Sequence, residues 1–310
     1  MSRIIRILAV LLVLCCSGSA TETRAENKIK VVASFSILED LVKNVGGNRV
    51  EVTSLVGPNG DVHVYQPTPA DAKAVSAANL VVVNGLGMEG WMERLVQTSG
   101  YKGPIVVATK GIKPREMSKE EEEAHEHGAK HKHEIDPHAW QDLGNGIIYV
   151  NNIARGLSTV DPAGAGIYQA NATAYNAKLT DLDRWVKKEF AAIPAGKRRM
   201  ITSHDALGYF GAAYGIEILS PLGFSTESEA AAGDIARLIK QIRQGKITAV
   251  FIENITDPRL MEQVAKESGV TLGGELYSDS LSKAGEPAPT YIDMFKNNVS
   301  KIVAAMRQGL

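Results

Sequence analysis

The feature that most constrains this chain is one long helical stretch set between two runs of alternating strands and helices. From residue 162 to about residue 190 the apolar spacing is helical, and a helix of that length spans about 40 Å, enough to cross a whole domain. Asp161-Pro162 reads as its cap and first-turn pair, and Pro194 and Gly196 end it. A shorter helical pattern, residues 143–157, precedes it.

On the N-terminal side, strands are expected at residues 28–35, 50–56, 80–84 and 105–108, and helices at 38–45, 68–78 and 89–98. Thr68 is placed to cap the second of these helices, with Pro69 at its first position. On the C-terminal side the rhythm restarts. Strands are expected at 199–202, 217–219, 249–253 and 271–276, and helices at 207–214, 228–244, 258–268 and 290–308. Strands that alternate with helices predict parallel sheets covered on both faces. The expected fold is therefore α/β: two α/β lobes with mostly parallel sheets, joined by a long rigid helix. The N-terminal lobe should run over residues 26–142, the linking helices over 143–195 and the C-terminal lobe over 196–310.

One segment breaks the pattern. Residues 116–134 hold seven Glu, three Lys and four His and almost nothing apolar, so they cannot pack into a core and should form a flexible surface loop. With His138 just beyond, five of the seven histidines lie close together. Neutral imidazole is a good ligand for borderline metals, and such density signals metal handling.

The ends of the chain add a compartment. Arg3 and Arg6 precede an apolar run, residues 4–16, that is too short to span a bilayer, with small residues after it; a signal peptide over residues 1–25 is expected. Both cysteines, Cys15 and Cys16, fall inside it. Val13 and Leu14 are too bulky for a good lipoprotein signal. The exported chain would then lack thiols, so any metal site must use His, Asp, Glu and water. With 34 basic and 35 acidic side chains, nothing favours nucleic acid or an anionic membrane surface.

Ligands of open α/β sheets bind beyond the carboxyl ends of the strands. His63 in DVHVYQPTPAD and His204 in TSHDALGYF lie at such ends, and His138 in DPHAW directly follows the loop. Asp279 in LYSDSLS, after the last strand, would balance two donors from each lobe. Asp205, Glu227 and Glu253 are also near strand ends, with expected roles as caps or as partners that orient histidines. Ser203 or Asp205 can cap the helix after His204, and Asp61 and Asp136 read as turn formers.

Several motifs in order, HVYQPTPAD, NLVVVNGLGMEGW, DPHAWQD, SHDALGYF, LYSDSLS and PTYIDMFKNNVSKI, resemble the metal-specific solute-binding proteins of ABC importers, the group called cluster A-I. The resemblance covers essentially all of the chain beyond the signal peptide and is nearest to the zinc branch, the AztC type within it. It implies a site between two lobes with His63, His138, His204 and Asp279 as ligands, and histidine rather than glutamate at position 204 is the zinc-branch choice. It also implies a periplasmic protein that captures zinc as cargo, not an enzyme. The implied partners are an inner-membrane ABC permease and, as a further candidate, a periplasmic zinc donor; the chain itself would act as a monomer. Three imidazoles and one carboxylate favour zinc over manganese on chemical grounds too, although copper and nickel suit the same donors. His125, His127, His131 and His133 are expected to give weaker, exchangeable capture. The competing reading is a secreted zinc-dependent hydrolase; the chain carries no HExxH motif, and four protein ligands would leave no place for substrate water.

Overall fold

The computed structural model describes residues 28–116, 135–227, 230–245, 247 and 249–308. The expected signal peptide and the loop histidines His125, His127, His131 and His133 lie outside the described residues.

The N-terminal sheet contains β1 (Ile29–Phe35), β2 (Val50–Val56), β3 (Leu80–Val83) and β4 (Ile105–Val107) in the order β2-β1-β3-β4, all parallel. Its helices are α1 (Ser36–Gly46), α2 (Pro69–Ser76) and α3 (Met92–Ser99). All four residues of β3 are buried, as expected of a strand covered on both faces. Thr68 caps α2 as its sequence predicts: it accepts from the Asp71 backbone N–H while Asp71 reaches back to Thr68 N, a reciprocal capping box.

A two-residue antiparallel pair follows, β5 (Arg115–Glu116) with β6 (Ile135–Asp136), then α4 (Leu143–Val160) and the long helix α5 (Ala165–Ala191). The pair was not expected; its two halves are separated in sequence by the His-rich segment. Helix α5 buries one stripe, Tyr168, Ala172, Tyr175, Leu179, Leu182, Val186 and Phe190, at spacings of three or four. Asp161 does not cap this region with its side chain. Its carboxylate accepts instead from Arg49 Nε at 2.8 Å and from the Tyr168 hydroxyl at 2.5 Å, which pulls its pKa down.

The C-terminal sheet contains β7 (Arg199–Ile201), β8 (Glu217–Leu219), β9 (Ala249–Glu253) and β10 (Leu272–Leu276), again all parallel, in the order β10-β9-β7-β8. Read from its other edge this is second-first-third-fourth, the order of the first sheet. The two lobes therefore repeat one topology. Helices α6 (Gly208–Tyr214), α7 (Ala232–Gly245), α8 (Arg259–Ser268) and α9 (Tyr291–Gln308) complete the lobe. Leu207 occupies the N-cap position of α6 without a side-chain cap, so the capping expected of Ser203 or Asp205 is not used there.

One apolar core runs through both lobes. It joins Val31, Phe35 and Leu80 of the first to Phe251, Leu276 and Met306 of the second through Tyr168, Leu179 and Phe190 of α5. Lobes sharing a core in this way cannot swing freely, because opening would expose that surface. Among the described residues, no helix is long and apolar enough to cross a membrane.

Candidate metal centre

Each sheet reverses its strand order between its first and third strands, and side chains at the carboxyl ends of the strands converge on the space between the lobes. His63 lies on an irregular segment between β2 and α2. Its backbone N–H donates to Asp61 Oδ1 at 2.9 Å, and Trp91 Nε1 donates to the carbonyl of Val62 at 2.9 Å. His138 follows β6, where Asp136 Oδ1 accepts from its backbone N–H at 2.9 Å. His204 follows β7, and Asp279 follows β10.

All four expected ligands come together. One donor atom from each of His63, His138, His204 and Asp279 lies within 4.8 Å of every other, and this is the one such group found among the described residues. Asp279 Oδ2 is 3.1 Å from His63 Nε2, 3.1 Å from His204 Nε2 and 3.5 Å from His138 Nε2, while the two Nε2 atoms of His63 and His138 are 3.4 Å apart. The three rings form a nearly equilateral triangle, with centroids 5.4, 5.7 and 5.4 Å apart. His138, His204 and Asp279 are fully buried, and the His63 side chain is 6% exposed, which makes it the one of the four that reaches solvent.

Buried carboxylates stand behind two of the imidazoles. Asp136 Oδ1 is 2.8 Å from His138 Nδ1, and Glu253 Oε2 is 2.9 Å from His204 Nδ1. A carboxylate on Nδ1 fixes the tautomer that leaves Nε2 as the donor to a metal. Glu253 also accepts from the His204 backbone N–H at 2.9 Å. The backbone bond fits the orienting role expected of Glu253, while its approach to the ring is a close ion-pair contact rather than a hydrogen bond. Asp136 does more than form a turn, since the same side chain serves the backbone and the ring of His138. Its other oxygen faces Arg115 at 3.1 Å. Neither Arg115 nor Tyr209, whose hydroxyl donates to the Asp136 carbonyl at 3.2 Å, stood out in the sequence. The spacing Asp136-Pro137-His138 was the available signal.

The electrostatics are those of a site built for positive charge. Burial alone would lower the pKa of His138, but the Asp279 and Asp136 carboxylates outweigh it and raise it to about 9. Burial likewise opposes charge on His204, and Glu253 with Asp279 drive its pKa well above the usual imidazole value. For Asp279, burial works against the carboxylate, yet His138 and His204 hold its pKa well below the ordinary range. Asp279 Oδ1 is buried without a hydrogen-bond partner among the described residues.

The loop that carries Asp279 follows the last strand of the C-terminal lobe, as expected, and also makes contacts the sequence did not suggest. It is fastened to the N-terminal lobe as well. Trp140 Nε1 and Gln141 Nε2 both donate to the Ser278 carbonyl, at 3.0 and 2.7 Å. Asn59 N donates to the Leu281 carbonyl at 3.0 Å, Leu281 N to Ser36 Oγ at 2.9 Å, and Ser280 Oγ to the Gly57 carbonyl at 3.2 Å. The Asp279 loop is thus held from both sides, since Asn254 Nδ2 also donates to the Ser280 carbonyl at 3.3 Å and Asn298 bonds both backbone groups of Tyr277, whereas His204 is held from the C-terminal lobe by Glu253.

Comparison with known proteins agrees with this architecture. Residues 31–305 match the family described as zinc-uptake complex component A, periplasmic (ZnuA). The chain belongs to that family of metal-specific solute-binding proteins. It is 36% identical over 295 residues, 94% of each chain, to the manganese-binding lipoprotein MntA of Halalkalibacterium halodurans. It is also 36% identical to the iron ABC transporter substrate-binding lipoprotein MtsA of Streptococcus pyogenes serotype M1, over 95% of this chain and 94% of that one. The periplasmic zinc-binding protein TroA from Treponema pallidum superposes with a TM-score of 0.81 at 30% identity, covering 90% of this chain and 99% of that one. Relatives of similar distance are thus named for three metals. The likeness expected to the zinc branch, and to the AztC type in particular, gains no support from these names.

Proposed function

We propose that this chain is the periplasmic substrate-binding component of an ABC importer, and that its cargo is zinc. The observation that carries the choice of metal is the spacing of the donors. A tetrahedron with bonds of about 2.0–2.1 Å places its ligand atoms about 3.3 Å apart. Four of the six donor separations, 3.1, 3.1, 3.5 and 3.4 Å, bracket that value, and all six lie within 4.8 Å. Three imidazole nitrogens and one carboxylate are a borderline donor set, whereas manganese favours a harder, oxygen-rich shell. Four protein donors also close the sphere, which is the arrangement of a carrier; a zinc hydrolase keeps one position for water.

In this reading, a signal peptide directs the chain to the periplasm and is cleaved. The ion replaces its water shell with the four ligands between the lobes, and the loaded protein docks on an inner-membrane permease. The loop histidines His125, His127, His131 and His133 capture zinc weakly and speed loading, with or without a periplasmic zinc donor. Deleting residues 120–134 should leave the tight site intact and slow loading when zinc is scarce.

Manganese is the second reading. The relative MntA is named for manganese, and the unpartnered Oδ1 of Asp279 offers a second oxygen. Native mass spectrometry of metal-free protein offered zinc, manganese, copper and nickel together decides between them. One bound zinc per chain is expected; preferential retention of manganese would replace zinc as the cargo. His204→Glu should then move the zinc-to-manganese ratio toward manganese, because it exchanges a nitrogen for hard oxygens.

A further inference from the structure

We propose that Asp61 is a positioning residue that makes the hold of His63 on the metal depend on closure of the lobes. His63 differs from the other two imidazoles. Asp136 braces His138 and Glu253 braces His204, but among the described residues no carboxylate stands behind the far nitrogen of His63. It lies on irregular backbone and is the one ligand with exposed side-chain surface. Its place is set through the main chain instead. Asp61 Oδ1 accepts from the His63 backbone N–H at 2.9 Å, and Asp61 Oδ2 accepts from the Thr226 hydroxyl, across the interlobe gap, at 2.6 Å.

A carboxylate is planar and stiff, so a shift at one oxygen is felt at the other. Thr226 belongs to the segment after β8, which is tied to the His204 backbone: Asp205 N donates to the Gly223 carbonyl at 3.1 Å, and His204 pairs with Leu222. Separation of the lobes withdraws Thr226 from Asp61. The turn that presents His63 then loses half of its anchor, and the least braced ligand is freed as His204 moves away. The latch is also reachable. It forms part of the wall of a cleft of about 530 Å³ lined by Asp61, Thr226, Ser203 and Arg259, among others. Ser203 Oγ is buried there without a hydrogen-bond partner among the described residues. A partner group entering this cleft meets the latch before it meets the metal.

The inference rests on the four-ligand reading of the site, and the test separates the two. Zinc release is followed by stopped-flow transfer to excess chelator in the wild type, Thr226→Val, His63→Ala and the double variant, with His204→Ala as a control. Thr226→Val removes the latch and keeps the Asp61 turn. It should release zinc about tenfold faster, as expected for loss of a hydrogen bond to a charged acceptor. The association rate and the melting temperature of the metal-free protein should stay at wild-type values. In the His63→Ala background, Thr226→Val should add nothing, because the latch acts through His63. Wild-type release from Thr226→Val, or an equal acceleration in the His63→Ala background, would overturn the role of Asp61. Wild-type zinc binding by both His63→Ala and His204→Ala would overturn the site itself, and the inference with it.

Discussion

The two walls of the interlobe site are joined by different amounts of structure. On one side the Asp279 loop is stitched to the opposite lobe by Ser36, Gly57, Asn59, Trp140 and Gln141, most of them buried. On the other, the segment after β8 reaches across at Thr226–Asp61, in a part-buried contact beside an open cleft. Sequence order places two candidate ligands on each lobe; hydrogen bonding ties Asp279 to both lobes and His204 to the C-terminal one. Because both lobes share one core, a small displacement of His204 is the cheapest way to spoil the tetrahedron.

The largest expected effect breaks the comparison at His204. His204→Ala should weaken zinc by more than about a hundredfold, beyond the range typical of outer partners, since it removes a donor and leaves Glu253 buried without its imidazole. His131→Ala should leave the tight site unchanged, because His131 is not one of the four proposed ligands. A competitive chelator titration gives both values, and equal losses would dissolve the division between cargo site and loop.

Next come the braces. Glu253→Gln and Asp136→Asn should each weaken zinc by about ten- to a hundredfold, the range found when a carboxylate behind a ligating histidine is lost. Glu253→Gln should cost more. Asp136 and Glu253 each meet both the ring and the backbone of their histidine. His138 also packs against Trp140, itself against Phe35, whereas among the described residues no such aromatic support stands beside Glu253 and His204 apart from the other site histidines. A reversed order would show that the N-terminal wall is the less rigid one. Smaller again is Gln141→Ala. It removes one of two donors to the Ser278 carbonyl, so zinc should leave only a few-fold faster in the chelator assay. A loss as large as that of Glu253→Gln would mean that the stitched wall has no redundancy.

Much of this was legible in the sequence. The strand–helix alternation gave eight strands close to their observed bounds, because buried parallel strands such as Leu80–Val83 are written as short apolar runs between breakers. That the four candidate ligands would meet was legible because each stands beside turn-forming residues at a strand end or just past the His-rich segment. The braces were only half visible: Glu253 ends a strand pointing at the site, while Asp136 looked like a turn former, and its second bond depends on a ring rotation that no pattern encodes. The β5–β6 pair was missed because two residues carry no periodicity. The fastening of the Asp279 loop to the N-terminal lobe was invisible for a deeper reason. It consists mainly of bonds to backbone groups, such as the Ser278 carbonyl, which every residue possesses.

The smallest effect sharpens the comparison in the absence of metal. His138 has its pKa raised to about 9, against an ordinary value near 6.5. A histidine whose pKa is higher in the folded state stabilises that state fully below its unfolded pKa, and the contribution fades as pH rises through the folded one. His204 is shifted in the same direction. Metal-free protein should therefore lose a few degrees of melting temperature between pH 6.5 and 9, as the protons that balance Asp136, Glu253 and Asp279 depart. Zinc supplies that positive charge in the loaded form, and its binding releases the same protons, so affinity should rise over the same window. The gap between loaded and metal-free melting temperatures should widen steadily from pH 6.5 to 9. Calorimetric scans of both forms across this range test it. Parallel curves would mean that the empty site is relaxed and its imidazoles are neutral well below pH 9, with the walls already apart before the ion arrives.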